Sequence, residues 1–284
     1  MSDRRIAVLI DGGFFLHRLP KLVPSADHET TEGIVRSVVR LCRNHVKILT
    51  GVGNNDDRWH RHIYRTFYYD AAPYEGKAHH PIDNRPIDFD KSDLAKSRRD
   101  LFAALRRHPK MALRLGKVSK EGDWRISPSL TKKVLRTRQL ATVLAALGTQ
   151  PPAGSPETVT DLQLTPEQAR TLRDLRDFWA GIGAGAVALE LRQKGVDMRI
   201  GLDIATMTLK RQVDTIVLVA GDSDFVPAAK LARREGVQFV LDPLWQQVND
   251  DLHEHIDTLQ SGLPRPSATA TAPMSSDPAE QGAE

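Results

Sequence analysis

The sequence has almost no cysteine and no long apolar run. Its 284 residues include one cysteine, Cys42, so no disulfide can form within the chain, as is usual for proteins of reducing compartments. No stretch approaches the roughly 20 apolar residues that a membrane-spanning helix needs. The N-terminal segment MSDRRIAVLIDGG places basic residues before an apolar run that is too short for a signal peptide. We therefore expect a cytoplasmic protein that does not associate with membranes.

Several motifs of common ligand-binding folds are missing as well. The segment DGGFF lacks the G-x-G-x-x-G spacing of dinucleotide-binding domains, and no P-loop occurs. The histidines of HRH, HH and HEH have no accompanying cysteine ligands, which favours exposed or core histidines over a zinc site. A phosphatase of the haloacid dehalogenase type needs a second aspartate two residues after Asp11, where Gly13 stands. These absences make all four classes unfavourable.

The charge is weakly positive. The formal net charge is +4, and residues 263–284 hold one basic and three acidic residues. Without that segment the chain has 39 basic and 33 acidic residues, a formal charge of +6. Such an excess permits binding of a polyanion by counterion release, provided that it is concentrated on one face. The same segment is rich in Ser, Ala, Pro and Thr, so we expect a disordered C-terminal tail.

The remainder alternates strand-like and helix-like patterns. The predicted strands are RIAVLID, HIYRTFYYD, VDTIVLVAGD and VQFVLDP, and MALRLGKVS with DWRIS predicts a small hairpin because Gly116 weakens the first strand. The predicted helices are TEGIVRSVVRLCRNH, DKSDLAKSRRDLFAALRRH, TKKVLRTRQLATVLAALG, TPEQARTLRDLRDFWAGIG and VPAAKLARREG, and residues 148–161 predict a loop. This alternation predicts an α/β fold with a parallel sheet, in which ligands bind beyond the carboxyl ends of the strands.

Three aspartates follow predicted strands. Asp11 comes directly after IAVLI, and Asp222 and Asp224 come after TIVLVAG. If both strands are central, the three carboxylates converge at one edge of the sheet, where like charges raise one another's pKa. A divalent cation relieves this repulsion, and Mg²⁺ prefers oxygen ligands. Asp224 as an N-cap ahead of Pro227, and Asp11 as a turn residue, are the structural alternatives.

A fourth carboxylate lies in a predicted helix that runs to about Arg211. Asp197 has the position of its N-cap, and Asp203 lies among apolar residues that predict burial on both sides of the helix. A buried carboxylate needs a partner or a function. Asp203 is therefore hard to explain by structure alone.

The residues resemble a known family. VLIDGGFF, YYDAAP, the segment LRQKGVDMRIGLDIATMTLKRQVDTIVLVAGDSDFVPAAKLARREG and FVLDP resemble the NYN domain family, the LabA-like branch of the PIN-like nucleases. The resemblance covers roughly residues 5–243 and is interrupted between 75 and 185. It implies a Rossmann-like α/β/α sandwich with a mostly parallel central sheet. We expect an NYN domain over residues 1–262 with an insert around 75–185, followed by the tail at 263–284.

The resemblance also implies an activity. Members are known or proposed metal-dependent ribonucleases, so RNA is the expected partner and Mg²⁺ or Mn²⁺ the expected cofactor. The catalytic and metal-binding residues carried over are Asp11, Asp203, Asp222 and Asp224. Asp197 and Ser223 are expected helpers, although Gly13 stands where members often have Asn. Candidate RNA contacts are Lys194, Arg199, Lys210, Arg58, Trp59 and Arg61. A non-catalytic PIN-like module that binds RNA or a protein is the alternative, and the oligomeric state stays open.

Overall fold

The computed structural model describes residues 4–53, 56–139 and 165–266. Its strands alternate with helices along the chain, as the sequence pattern predicts. The strands are β1 (Ile6–Asp11), β2 (Ile63–Ala72), β3 (Lys77–His79), β4 (Pro86–Asp88), β5 (Met111–Ile126), β6 (Val187–Lys194), β7 (Thr215–Val219), β8 (Gln238–Asp242) and β9 (Thr258–Leu259).

The helices have the following bounds. They are α1 (Gly12–Arg18), α2 (Thr31–Thr50), α3 (Asp93–Arg107), α4 (Pro128–Arg136), α5 (Pro166–Ala180), α6 (Val196–Leu209), α7 (Val226–Arg234) and α8 (Asp250–His253). Short 3₁₀ helices lie at Leu19–Lys21, Ser25–Asp27, Asp57–His62, Phe89–Lys91, Thr137–Gln139, Ala184–Ala186 and Ser223–Phe225. Among the described residues, none of these helices has the length and apolar character required to cross a bilayer.

Seven strands form the main sheet in the order β6-β5-β2-β1-β7-β8-β9, and β3 pairs with β4 separately. The pairs β1–β2, β1–β7, β2–β5, β7–β8 and β8–β9 are all parallel. In the centre, Ile10 of β1 lies opposite Tyr68 of β2 and Val219 of β7. The carboxyl ends of the three central strands therefore lie at the same edge, which we call the carboxyl edge. The prediction of a mostly parallel α/β sheet is confirmed.

Both faces of the central strands are buried. One face of β1 carries Ile6, Val8 and Ile10 into a core with side chains of α1, α2 and α3, and the other carries Ala7 and Leu9 into a core with α6 and α7. A strand covered by helices on both faces has no solvent-facing positions for polar residues, which explains the continuous apolar runs of the sequence. Each fully buried aliphatic side chain contributes roughly 1.5–3 kcal/mol to stability.

The chain divides into two compact units. Among the described residues, the first comprises 4–53, 56–77, 88–119 and 191–266, and the second comprises 78–87, 120–139 and 165–190. In the second unit, the buried ring of His80 contacts Trp124 with 5.2 Å between centroids, and Arg125 pairs with Glu190 at 2.7 Å. The boundaries expected from the sequence, 1–262 with an insert around 75–185, stay a prediction.

Two parts of the expected fold are corrected. The predicted hairpin is wrong, because residues 111–126 form the single strand β5, which pairs in parallel with β2. Gly116 does not end this strand; a Cβ there would lie 2.5 Å from the carbonyl oxygen of Lys194, so glycine permits a close approach of the backbones. The sequence analysis also missed β6 and α1. Most of the tail, the loop at 148–161 and the end of the helix predicted up to Gly148 lie outside the described residues.

Candidate functional site

Carboxylates lie at the ends of neighbouring strands on the carboxyl edge. Asp11 is the last residue of β1, opposite Tyr69 of β2, and Asp70 follows Tyr69. Asp222 comes three residues after β7, the strand on the other side of β1. Asp197 lies in the first turn of α6. All of these residues belong to the first compact unit.

Asp11 has a structural role at this edge. It is the N-cap of α1, and its Oδ1 accepts a hydrogen bond from the backbone N–H of Phe14 at 3.2 Å. The next residue must be small, because a Cβ on Gly12 would lie 2.6 Å from the ring of Tyr68 and from the Tyr69 carbonyl oxygen. The turn therefore brings the Asp11 carboxylate close to the end of β2.

The pKa of the Asp11 carboxylate is raised by its surroundings. Burial raises its pKa to about 6, and the negative charges of Asp197 and Asp70 add to the rise, against the opposing hydrogen bond from Phe14. No cation is among the described groups that act on it. Carboxyl groups with such surroundings are concentrated at functional sites.

Asp197 interacts electrostatically both with Asp11 and with Asp222 and Asp224, the pair that follows β7. Its pKa is raised, first by partial loss of hydration and then by the negative charges of Asp222 and Asp224. The predicted N-cap role of Asp197 is wrong, because the N-cap of α6 is Gly195, which has a left-handed φ of 77°. Glycine adopts that conformation without strain, and Asp197 is thereby left free of capping.

Of the two aspartates after β7, Asp222 and not Asp224 acts as a helix cap. Oδ1 of Asp222 accepts a hydrogen bond from the backbone N–H of Asp224 at 3.1 Å, so Asp222 caps the 3₁₀ helix Ser223–Phe225. The prediction that Asp224 caps the following helix is wrong, because the N-cap of α7 is Phe225. Both carboxylates are exposed, and Ser223 between them is partly buried. Asp222 thus combines a cap with a place in the charged cluster.

Sequence reasoning missed Asp70. Its carboxylate is buried, pairs with Arg98 of α3 at 2.5 Å and accepts from the backbone N–H of Ala71 at 2.7 Å. Burial raises its pKa although Arg98 opposes the shift. Beside it, the buried hydroxyl of Tyr68 has no hydrogen-bond partner among the described residues. The signal was available, because Asp70 ends the predicted strand HIYRTFYYD just as Asp11 ends the first strand.

Asp203 has different neighbours from the other carboxylates. It pairs with Arg114 of β5, with Nη2 at 3.1 Å from Oδ1 and Nε at 3.1 Å from Oδ2, and Oδ2 also accepts from the Tyr69 hydroxyl at 2.9 Å. Asp203, Arg114 and Arg199 line a polar cavity of about 350 Å³. Its role as a metal ligand stays a prediction, and these contacts with an arginine and a tyrosine do not support it.

The environment of Asp203 also corrects the expected burial of α6. Ile200 and Ile204 are buried, but Leu202 and Leu209 on the other side are 60% and 62% exposed. The helix therefore has one buried face rather than two. It ends at Leu209 instead of near Arg211.

The basic residues proposed near α6 lie apart from one another. Lys194 ends β6, just before the N-terminus of α6. The Nε of Arg199 donates to the carbonyl oxygen of Leu115 at 3.2 Å. Lys210 is the C-cap, about 20 Å along the helix from its start. Of the three, Arg199 lies nearest in the chain to Asp197, two residues after it, and Lys194 lies three residues before it.

The basic and aromatic residues before β2 lie at the opposite edge of the sheet. Arg58, Trp59 and Arg61 belong to the 3₁₀ helix Asp57–His62, which leads into the amino end of β2. Arg58 pairs with Asp56 at 3.0 Å, and Trp59 lines an apolar cavity of about 350 Å³ with residues such as Met111. This position does not bring them to the carboxylates.

The carboxylate cluster has the chemistry of a hard-cation site. Asp11, Asp197, Asp222 and Asp224 offer only oxygen donors, which suit Mg²⁺ and Mn²⁺. Burial raises the pKa values of Asp11 and Asp197, and neighbouring carboxylates add a repulsion that a divalent cation would relieve. In residues 4–53, 56–139 and 165–266, no three Asp, Glu, His or Cys side chains are already placed to hold a metal ion. The donor set fits such an ion, and the exposed members would have to turn toward it.

Comparisons with known proteins give a family for part of the chain. No curated protein matches. A crystal structure of a protein of unknown function from Vibrio parahaemolyticus RIMD 2210633 is similar over 91% of this chain and 93% of that one, with 12% identity and a TM-score of 0.37. The model of the NYN domain matches residues 142–258, which include Asp197, Asp203, Asp222 and Asp224 but not Asp11. Residues 142–258 are thus similar to the NYN domain, in agreement with the resemblance that the sequence predicted.

Proposed function

We propose that the protein is a metal-dependent ribonuclease that hydrolyses phosphodiester bonds at the carboxyl edge. The observation that carries this proposal is the placement of Asp11 at the end of β1, near Asp197 and Asp70, whose charges add to the burial that raises its pKa to about 6. Asp11, Asp197, Asp222 and Asp224 come from three separate chain segments, and the negative charges of their neighbours act on Asp11 and Asp197. The NYN domain match supports a nuclease, because this is a nuclease family.

The residues that would hold Mg²⁺ or Mn²⁺ are Asp11, Asp197, Asp222 and Asp224. A bound divalent ion supplies a water of lowered pKa and charge stabilisation for the phosphate. Asp11 is fixed by its hydrogen bond with Phe14, so it defines one wall of the site. Asp222 and Asp224 are exposed and can turn without disturbing the core. Ser223 lies between them in the chain and is a candidate helper.

The substrate would be RNA, whose phosphate groups need a cation near the carboxylates. Arg98 meets this need, since it pairs with the buried Asp70 and its charge also acts on Tyr68, next to Asp11. A guanidinium held by a buried carboxylate is oriented before the substrate arrives, which favours phosphate recognition. Lys194, at the start of α6, is a second candidate. We place the activity in the cytoplasm, where the buried thiol of Cys42 stays reduced.

A non-catalytic PIN-like module that binds RNA or a protein is the second candidate. It is favoured by one observation, that the described residues contain no preassembled metal-binding group. The clustered charges oppose it, because unpaired carboxylates repel a polyanion. The two candidates differ in whether Mn²⁺ is required.

Cleavage of labelled RNA by the purified full chain, with and without Mn²⁺, tests the proposal. The main variant is Asp222→Asn, because asparagine still accepts from the Asp224 backbone N–H and preserves the cap. We expect a loss of about 100-fold or more in cleavage rate, in the range of metal-assisted charge stabilisation. The matched control is Asp174→Asn, an exposed helical aspartate of the second unit, which we expect to cleave like the wild type.

Equal cleavage by wild type and Asp222→Asn would overturn the site assignment. RNA binding without Mn²⁺-dependent cleavage, together with no Mn²⁺ binding by calorimetry, would favour the non-catalytic module. Cleavage that survives removal of divalent ions by a chelator would reject the metal-dependent mechanism.

A further inference from the structure

The chain leaves β8 through a strained turn that exposes a tryptophan. Leu244 and Trp245 have φ angles of +47° and +65°, which is a left-handed conformation in two consecutive residues that are not glycine. Such conformations cost free energy and persist only where neighbouring groups enforce them, often at binding sites. Trp245 is 43% exposed, although a large aromatic ring gains most from burial.

A buried polar network enforces the turn. Oδ1 of Asp242, the last residue of β8, accepts from the backbone N–H of Leu244 and from the Ser261 hydroxyl, both at 2.9 Å. Oδ2 of Asp242 pairs with His45 of α2 at 2.7 Å, and both side chains are fully buried. The Ser261 hydroxyl in turn accepts from the Trp245 backbone N–H at 3.3 Å. The backbone that presents Trp245 is therefore fixed from the core outward.

The indole ring is oriented as well. Its Nε1–H donates to the carbonyl oxygen of Leu263 at 2.9 Å, so the ring cannot swing freely. The guanidinium of Arg265 lies 5.7 Å from the ring centroid. A half-exposed, fixed aromatic ring beside an arginine combines a stacking surface with a positive charge, as in sites that bind single-stranded nucleic acid.

This ring is linked to the carboxylate cluster through α1. Asp11 caps the start of α1, and at its end Arg18 donates to the carbonyl oxygen of Leu244 through Nη2 at 2.8 Å and Nε at 3.3 Å. The helix has seven residues, so its two ends are about 10 Å apart. A few nucleotides can bridge that distance, with Arg18 carrying positive charge at the end of α1 and Arg265 at the Trp245 ring.

We propose that Trp245, flanked by Arg265, stacks a base of single-stranded RNA whose neighbouring phosphodiester lies at the carboxylate cluster. The inference rests on the proposed function for the identity of the nucleic acid. It adds a binding subsite outside the carboxylates and a preference for unpaired RNA, because bases within a duplex are already stacked on one another.

Binding without divalent ions tests the subsite separately from cleavage. Fluorescence anisotropy would follow a labelled single-stranded RNA oligonucleotide on the full chain in a chelator. We expect Trp245→Ala to weaken binding about tenfold, in the range found for one stacked base. Trp245→Phe keeps a ring and should stay within about threefold of the wild type. The control is Trp179→Ala on α5, because Trp179 is 49% exposed and has no place in the subsite; it should bind like the wild type.

Two comparisons make the result specific to stacking. An RNA oligonucleotide without bases should bind the wild type and Trp245→Ala equally. If Trp245→Ala had lost its fold, it would bind both the normal and the baseless RNA more weakly than the wild type does. Equal affinity of wild type and Trp245→Ala for normal RNA would overturn the subsite, and so would Trp245→Phe binding as weakly as Trp245→Ala. An equal effect of Trp245→Ala on duplex RNA would overturn the preference for unpaired RNA.

The two proposals can fail independently. Trp245-dependent binding of RNA that is not cleaved with Mn²⁺ would support the subsite and reject the ribonuclease. Mn²⁺-dependent cleavage with no contribution of Trp245 to affinity would support the ribonuclease and reject the subsite.

Discussion

The two edges of the central sheet shift the pKa values of their aspartates in opposite directions. At the amino edge, Asp214 precedes β7 and accepts from the backbone N–H of Arg5 at 2.8 Å while pairing with its guanidinium at 3.3 Å. These contacts lower the pKa of Asp214, with the backbone hydrogen bond as the first cause. At the carboxyl edge, Asp11 ends the neighbouring strand, and its pKa is raised to about 6 by burial and two other carboxylates.

The difference separates a structural carboxylate from a candidate functional one. The surroundings of Asp214 stabilise its negative charge, so it helps to hold β1 beside β7. Asp11 is placed where its negative charge is costly, although the neutral Asn would cap α1 equally well. A charge kept at a cost in stability is expected where activity depends on it.

The largest effect is expected for Asp11→Asn. We expect cleavage to fall about 100-fold or more, because a carboxylate of the proposed metal site is lost. We expect the free energy of unfolding at pH 7.5 to rise by up to about 3 kcal/mol, since a pKa raised from 3.8 to about 6 means that ionisation of Asp11 opposes folding. Urea unfolding and RNA cleavage measure the two effects.

The pH dependence of the stability gained by Asp11→Asn tests whether charge repulsion and burial cause it. The folded protein binds its proton more tightly than the unfolded chain, so the penalty is absent below about pH 4 and complete above about pH 6. Asp11→Asn should therefore gain less stability at pH 5 than at pH 7.5. Added Mn²⁺ should stabilise the wild type more than the variant. A variant less stable than the wild type at pH 7.5 would contradict the proposed charge repulsion.

A smaller effect is expected for Asp203→Asn, on the face of α6 beside β5. The contacts of Asp203 with Arg114 and the Tyr69 hydroxyl predict a structural role, so we expect unfolding free energy to fall by about 1–2 kcal/mol. Cleavage should stay within about threefold of the wild type, well above the expected level for a lost metal ligand. A loss as large as that of Asp222→Asn, with the fold intact, would show that Asp203 belongs to the catalytic set.

Much of the fold follows from pattern alone. The apolar runs that became β1, β2, β7 and β8 are continuous because helices cover both faces of the sheet. The segment MALRLGKVSKEGDWRI misled because a glycine usually interrupts a strand, whereas Gly116 serves a close contact with the backbone at Lys194. Such a contact joins residues far apart in the chain, so no local pattern reports it.

The position of the candidate site could be predicted from the sequence, but the roles of the individual carboxylates could not. The rule that ligands bind at carboxyl ends of parallel strands selects Asp11 and Asp222 and, applied to HIYRTFYYD, also Asp70. The rule does not say which carboxylate has an arginine beside it. Arg114, on a strand about 90 residues earlier, pairs with Asp203. This contact favours an ion-pair role for Asp203 over a role as a metal ligand. Capping likewise depends on where a helix begins, and sequence patterns do not fix a helix start to within the two positions between Asp222 and Asp224.

The smallest effect is expected at the amino edge, for Asp214→Asn. Asparagine can still accept from the Arg5 backbone N–H, but it loses the charge that pairs with the guanidinium. Both side chains are about half exposed, so we expect a loss of only about 0.5 kcal/mol in urea unfolding at pH 7.5, and unchanged cleavage. Because the folded state holds the pKa of Asp214 below its usual value, the stability that its charge contributes is present at neutral pH and is lost on acidification. The sign is thus opposite to that at Asp11, and a gain in stability for Asp214→Asn would remove the contrast between the two edges.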